Sequence, residues 1–483
     1  MLTPLDLSQL SPTQKDEVIL QLQAQLLAQQ EQIAALNKLL AELQSRLNLN
    51  SRNSSKPPSS DGLKKPKPKS LRKPGEKPSG GQEGHPGHTL RRVALPDKVV
   101  VHDVPAQCDA CQRKLAQASV SQTRQVFDIP RPQFEVTEHR LMQVQCTCGK
   151  THTGVFASHL TGSVQYGPNA MAAMVHLSHH HMMPVQRTAQ LLGELFGMPV
   201  SQATVINACE LAKKSLAPSV NAIAQALQTS PTVHADETAL RVNKTQHWVH
   251  VLATSSMTWM AHHTKRGKVA FDELGVLANF HGTLIHDGWK PYRALDCAHG
   301  LCNIHHLREL TYIHEELKQD WAKDMMVLLR HANHTNNLNC ADGQAPPYDA
   351  PPYRLQVEHL RYVYEQILSV GEALNPLAPP TGKRGATKQS FAANLLRRLR
   401  DYADDVWRFM SEPGVPFTNN VAEQAIRMSK VKQKISGCFR TPGGADRFCI
   451  IRSYLATMHK QGANLIDCLT QTFRGSPPQP CLA

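Results

Sequence analysis

Two aspartates stand where aspartate is costly. Asp236 lies in VHADETALRV, which starts at Val233, and Asp287 in GTLIHDGWKPY, which starts at Gly282. Each follows a short apolar run that reads as a buried strand, so each carboxylate is expected inside one. Desolvating a carboxylate is expensive unless a cation or metal pairs with it, and two such strands in one domain point to a shared cation. Glu237, the neighbour of Asp236, should face the other side of its strand. A third acid, Glu423, stands in VPFTNNVAEQAIRMSKVKQKISGCFRT, in the first turn of a helix begun by Asn419 or Asn420. With Asn420 as N-cap, Glu423 would also suit a capping box. The stripe Glu423, Arg427, Lys430 and Lys434 favours chemistry instead, because it sets one acid and three cations on one helix face. Lys432 and Arg440 add positive charge to the same segment. Three carboxylates holding divalent cations beside a basic helix face would suit a phosphodiester backbone.

A separate constellation is built from sulfur. Cys108 and Cys111 form CDAC, Cys146 and Cys148 form CTCG, and strand-like alternation between them predicts a connecting hairpin. Two close cysteine pairs match a zinc ribbon holding one structural zinc, with buried free thiols as the alternative. His152 is a competing ligand. Cys302 and His305, three apart, share a helix face and either pack or half-bind a metal. The run His179, His180 and His181 reads as surface.

The elements that must position the acids follow from periodicity. HWVHVLATS from His247 and MTWMAHHT from Met257 alternate like two more strands, and Val269 to Leu277 reads as a helix. Strand, strand, strand, helix, strand is the order of an RNase H-like core, which would carry its third acid on a later helix. We place such an α/β catalytic domain at 229–460, with a helical insertion at about 300–410 that opens in HGLCNIHHLRELTYIHEEL. The insertion includes a Pro-rich loop, a helix from Leu355 to Leu374 and the basic loop PPTGKRGATKQS. Residues 461–483 form a C-terminal segment.

The regions before the core read differently. Ile19, Leu26, Ile33, Leu40 and Leu47 in one register, with Leu22, Leu36 and Leu43 in the other, predict a coiled coil over 1–49, broken only by Gln29. The alternative is an amphipathic helix packed on its own domain. Residues 50–98 are almost without apolar side chains and should be disordered when free. From Lys56 to Arg92 ten Lys or Arg face three Asp or Glu, which suits loose phosphate contact or a plain soluble linker. The zinc-binding domain spans 99–160. In the helical region 161–228, VQRTAQLLGELFGMPVSQATVINACEL breaks at Gly197 and Pro199, and Ser201 is placed to cap the second helix. Such spacing fits a DNA-reading helix-turn-helix or any tight helical hairpin.

At 483 residues the chain needs several domains. A net charge of +14 and an isoelectric point near 9.3 favour an anionic polymer as partner. No uninterrupted apolar run of roughly 18 residues exists to span a bilayer, and the N-terminus lacks a signal-peptide pattern. An intracellular protein is expected. Its twelve cysteines are then metal ligands or buried thiols rather than disulfides.

HADET, HDGWKPY, LCNIHHLREL and NNVAEQAIRMSKVKQKISGCFRT, in this order behind NSSKPPSSDG, resemble the insertion sequence 66 family of transposases along nearly the whole chain. The resemblance implies an Asp-Asp-Glu enzyme that cuts and joins DNA, with Asp236, Asp287 and Glu423 as catalytic acids. Two magnesium or manganese ions would serve each site, Asp236 bridging them. Double-stranded DNA, as element ends and target, would be the substrate, and Arg427, Lys430, Lys432, Lys434 and Arg440 its contacts. It further implies a bacterial, nucleoid-associated cytoplasmic protein, with accessory element-encoded proteins left open, while the heptad seam, which has no obvious partner elsewhere in the chain, predicts self-association through the coiled coil. Gln424 departs from the arginine common there. The rival readings are an RNase H-like nuclease that does not transpose and a zinc-containing DNA-binding regulator without chemistry.

Overall fold

The computed structural model describes residues 11–50, 53–54, 90–115, 118–129, 132–157, 160, 162–340, 348–380 and 387–482. Most of the basic linker, the first part of the Pro-rich loop and half of the basic loop fall outside them. The chain divides into two compact units. One holds Met1–Leu63, His139–Gln190 and Val200–Ala483, the other Lys64–Glu138 and Leu191–Pro199.

The larger unit begins with α1 (Pro12–Leu47), one uninterrupted helix. Its heptad residues face solvent: Leu22 is 59% exposed and Ile33 58%. Among the described residues, the segment at its end is anchored within the unit. Asn48 donates to Glu316 at 2.8 Å and Leu49 rests against a helical core. The alternative in which α1 packs along its own domain is therefore not what is observed.

Strands β1 (Gln143–Gln145) and β2 (Thr151–Thr153) pair antiparallel across the CTCG turn. The expected hairpin between the two cysteine pairs is not observed. Among the described residues no strand lies between Cys111 and Gln143, because the exposed side chains there have no layer to cover them. Next come α2 (Pro168–Val175) and a π-helical turn, His176–His180. His179 is buried rather than on the surface. α3 (Val185–Phe196) follows, and its residues divide between the units.

α4 (Gln202–Thr229) starts as expected, with the Ser201 hydroxyl accepting from the Thr204 amide at 3.0 Å. It runs on through Pro218, far beyond a recognition-helix length. Val205, Ala208, Ala212, Leu216 and Ile223 bury one stripe along it.

The sheet has five strands: β3 (Thr232–Val242), β4 (Thr245–Ala253), β5 (Thr258–His263), β6 (Thr283–His286) and β7 (Ala298–Leu301). Their order is β5-β4-β3-β6-β7, with β3, β4 and β5 antiparallel and β6 and β7 parallel to β3. α5 (Lys268–Leu274) lies between β5 and β6 and ends at Gly275, whose φ of +74° suits a glycine cap. β7 occupies the stretch where the sequence predicts the start of a helix. Four residues are too few to show a strand period, and the helix α6 (Asn303–Leu317) begins directly after it.

The remaining helices are α7 (Asp320–Asn339), α8 (Pro351–Leu374), α9 (Phe391–Asp401), α10 (Ala403–Trp407), α11 (Asn420–Ser436), α12 (Pro442–Lys460) and α13 (Leu465–Phe473). Two cores result. Helices α6 to α10 close around Trp321, Tyr364, Leu396 and Trp407, and pack on Ile285 and Leu301 at the parallel edge. Helices α11 and α12 cover the other part of the sheet, setting Ile426, Ala445 and Phe448 against Leu240, Val242, Val249 and Val251.

Candidate active site

Alternation along β3 decides which acid faces which layer. Leu240 and Val242 point to α11 and α12, so Asp236 shares their face and Glu237 takes the opposite one. Glu237 is engaged there, accepting from Arg266 Nε at 3.0 Å and from the Tyr292 hydroxyl. The Arg266 guanidinium lies 4.7 Å over the Trp248 ring and 3.7 Å over the Trp289 ring. Glu237 is thus a structural acid behind the strand, as its position implied.

Asp236 is half-buried, and its Oδ1 accepts from the Glu237 amide at 2.8 Å. Burial holds its carboxyl well above the usual range, and the charges of Glu237, Asp287 and Glu423 push the same way. The three sequence-predicted acids are therefore electrostatic neighbours.

Asp287 is not inside a strand. It sits one residue beyond β6 and is exposed, so the cost of burial that singled it out does not apply. The short apolar run ends at His286, which is fully buried in its place. Asp287 Oδ1 accepts from the Trp289 amide at 2.9 Å, and the turn passes through Gly288 at a φ of +88°. The Gly288 amide donates to His286 Nδ1 at 3.0 Å, so the other ring nitrogen of His286 donates to His299 at 3.1 Å.

Glu423 lies in the first turn of α11, but no capping box forms. The N-cap is Asn419, not Asn420, which moves Glu423 one position past the box, and Asn419 caps nothing with its side chain. Its carboxamide instead accepts from His234 Nδ1 at 2.9 Å and donates to the Ala235 carbonyl at 2.8 Å. This buried side chain ties the start of α11 to the strand of Asp236. Sequence reading named Asn419 only as a helix start; its reach across the fold leaves no local signal.

Cys302 precedes α6, and its Sγ lies 4.0 Å from Glu423 Oε1. The Asn419 amide donates to the same sulfur at 3.2 Å. Cys302, His305 and Glu423 form a group whose ligand atoms all lie within 4.8 Å of one another. Asp236 and Asp287 are not part of that group.

The cations of α11 divide. Arg427, Lys430 and Lys434 are exposed, as is Arg440 beyond the helix end. Lys430 is bonded to the Ala239 carbonyl of β3 at 2.6 Å, and Lys432 is half-buried and donates to Ser436 at 3.2 Å. One member of the stripe from Glu423, Lys430, fastens α11 to the sheet.

The cysteine pairs each sit in a tight turn closed by antiparallel backbone. In one, the Cys108 amide donates to Arg113 at 2.9 Å and Gln112 takes a φ of 59°. In the other, the Cys146 amide donates to Lys150 at 2.8 Å and Gly149 takes a φ of 87°. Backbone amides facing the sulfur, chiefly those of Cys111 and Cys148, lower the thiols of Cys108 and Cys146 from their ordinary value. Both turns thus have the donor chemistry of zinc knuckles. His152 lies exposed in β2, opposite Val144.

Comparison with known families follows this division. Residues 163–447, more than half of the chain and including Asp236, Asp287 and Glu423, match the model described as Transposase IS66 family. Residues 105–149, which contain all four ribbon cysteines, match the zinc-finger binding domain of transposase IS66. Residues 9–91 match a family of unknown function. No curated protein matches the sequence. The chain is a transposase by family, with a zinc-finger domain ahead of a mixed α/β domain. It belongs to the IS66 family of transposases.

Proposed function

We propose that this chain cuts the DNA strands at the ends of an insertion sequence and joins them to a target, using Asp236, Asp287 and Glu423. The observation that supports the reading is that the charges of Asp287, just past the end of β6, and of Glu423, in the first turn of α11, both act on Asp236 of the central strand β3. The sheet order and polarity support an RNase H-like core, since three antiparallel strands are extended by two parallel ones on the side of the first.

The acids fit the hard cations that such chemistry uses. Asp236 and Asp287 each commit one carboxylate oxygen to a backbone amide, which fixes the orientation of the other. Two magnesium or manganese ions would supply activation of the attacking oxygen and neutralisation of the leaving one. Asp236 would serve both ions, with Asp287 and Glu423 each completing one. Arg427, Lys434 and Arg440 would hold the phosphate backbone beside them, and Lys430 and Lys432 would add to the local field.

The ribbon would hold one structural zinc through Cys108, Cys111, Cys146 and Cys148. The α3–α4 region would read the terminal repeats, although the length and burial of α4 confine any groove contact to its start. The exposed seam of α1 would pair protomers. A strand-transfer assay with pre-cut element ends separates this reading from its rivals. Joined products with magnesium are expected. Cutting without joining would favour a nuclease, and binding without either a regulator.

A further inference from the structure

Beside the three acids lies a second donor set of different chemistry. Cys302 is buried between β7 and α6, at the point where the chain turns into the helix. Its sulfur receives the Asn419 amide at 3.2 Å, and the amides of Ile304 and His305 also point at it. Burial outweighs these amides and, with the charge of Glu423, pushes the Cys302 thiol up to about 11, so the thiolate, the form of cysteine that binds metal, forms only as a cation arrives. His305 stands in the first turn of α6. Its Nδ1 is buried and has no hydrogen-bond partner among the described residues, a condition that costs free energy unless something binds there. Glu423 faces both from α11.

We propose that Cys302, His305 and Glu423 bind one thiophilic divalent cation of the zinc class, at a site that shares Glu423 with the carboxylate site. Donors around one tetrahedral zinc lie about 3.3–3.8 Å apart, from bond lengths of about 2.0–2.3 Å. The three ligand atoms all lie within 4.8 Å of one another, and Sγ and Oε1 are 4.0 Å apart. Side-chain movements that bring the widest pair together by up to about 1–1.5 Å therefore close the set. Thiolate and imidazole select zinc, cobalt or cadmium over magnesium. On binding, the Cys302 thiol releases its proton to solvent. A cation held here withdraws Glu423 from the hard-cation set, which makes the site inhibitory; this last step rests on the function proposed above.

The test uses the full-length protein with zinc and with cobalt as a spectroscopic probe. Wild type should retain about one equivalent more zinc than Cys302→Ser or His305→Gln. The four ribbon cysteines give the cobalt form thiolate charge-transfer absorption in every variant, so the expected signature is a lower intensity and fewer bound cobalt ions in Cys302→Ser than in wild type, and Glu423→Gln should weaken binding of that additional cobalt about tenfold or more. Equal metal content and equal spectra in wild type and both variants would overturn the site. In strand cutting with magnesium, added zinc should lower the wild-type rate at least about tenfold, and by far less in His305→Gln. A zinc-loaded wild type that cuts at full rate would overturn the sharing of Glu423. If no element end is cut under any condition, the catalytic reading fails, and the metal content still decides the site.

Discussion

Asn419 shows how one side chain fixes the relation between two acids that lie far apart in sequence. Its carboxamide spans His234 and the Ala235 carbonyl, and is itself buried. Asn419→Ala leaves a buried donor and a buried acceptor without partners, at about 1–3 kcal/mol. Thermal or denaturant unfolding should show that loss, and an unchanged midpoint would contradict the bridge. Gly288 acts at the same scale, letting the chain turn directly after Asp287 at a φ of +88°. Gly288→Ala should cost about 1–2 kcal/mol and weaken manganese binding by displacing Asp287. Unaltered stability and manganese affinity would contradict that role. The three candidate acids stand out in the sequence, and the structure removes the reason given for one of them. Asp236 stood out because it interrupts an apolar run. Asp287 drew the same argument, although it lies past the strand end, where exposure removes the cost. Asn419 was not legible, because its partners sit on a strand more than 180 residues earlier.

The elements carry signals as strong as their periods are long. The 36 residues of α1 repeat their heptad several times, and the long strands β3 and β4 alternate clearly. By contrast β7 has four residues and β1 and β2 three each, too few for any period, and all three were missed or misplaced. Because the seam of α1 faces solvent, deleting residues 12–47 should lower the mass in sedimentation while the sheet domain stays folded; an unchanged mass would refute pairing through α1. The cations of α11 should also separate by experiment. Arg427→Ala and Lys434→Ala should each reduce the salt dependence of DNA binding by about one unit of slope. Lys430→Ala should affect stability more than that slope, since its ammonium is bonded to the Ala239 carbonyl. Equal slopes for all three variants would show that the sheet contact does not restrain Lys430.

For the whole molecule, buried neutral histidines tie stability to pH. Burial lowers His180 and His250 to about 4, and lowers His179 well below its ordinary value. Below the ordinary histidine value near 6.5 the unfolded chain binds protons that the folded chain does not. Folding stability should therefore fall as pH drops from about 6.5 towards 4, and be insensitive to these groups above that window. His250→Gln should flatten the fall, measured by unfolding at pH 7 and pH 5; an equal fall in wild type and variant would exclude His250 as a contributor. Charge and composition already pointed to a multidomain, nucleic-acid-directed chain, while the packing of five helices on the parallel edge of the sheet had no counterpart in the sequence beyond an expected insertion. The central claim, that Asp236, Asp287 and Glu423 act as one set, is tested most directly by Glu423→Gln in magnesium-dependent strand transfer on pre-cut element ends. Joined product should fall by several orders of magnitude while affinity for the ends and the unfolding midpoint stay near wild type. Full strand transfer by Glu423→Gln would contradict the assignment.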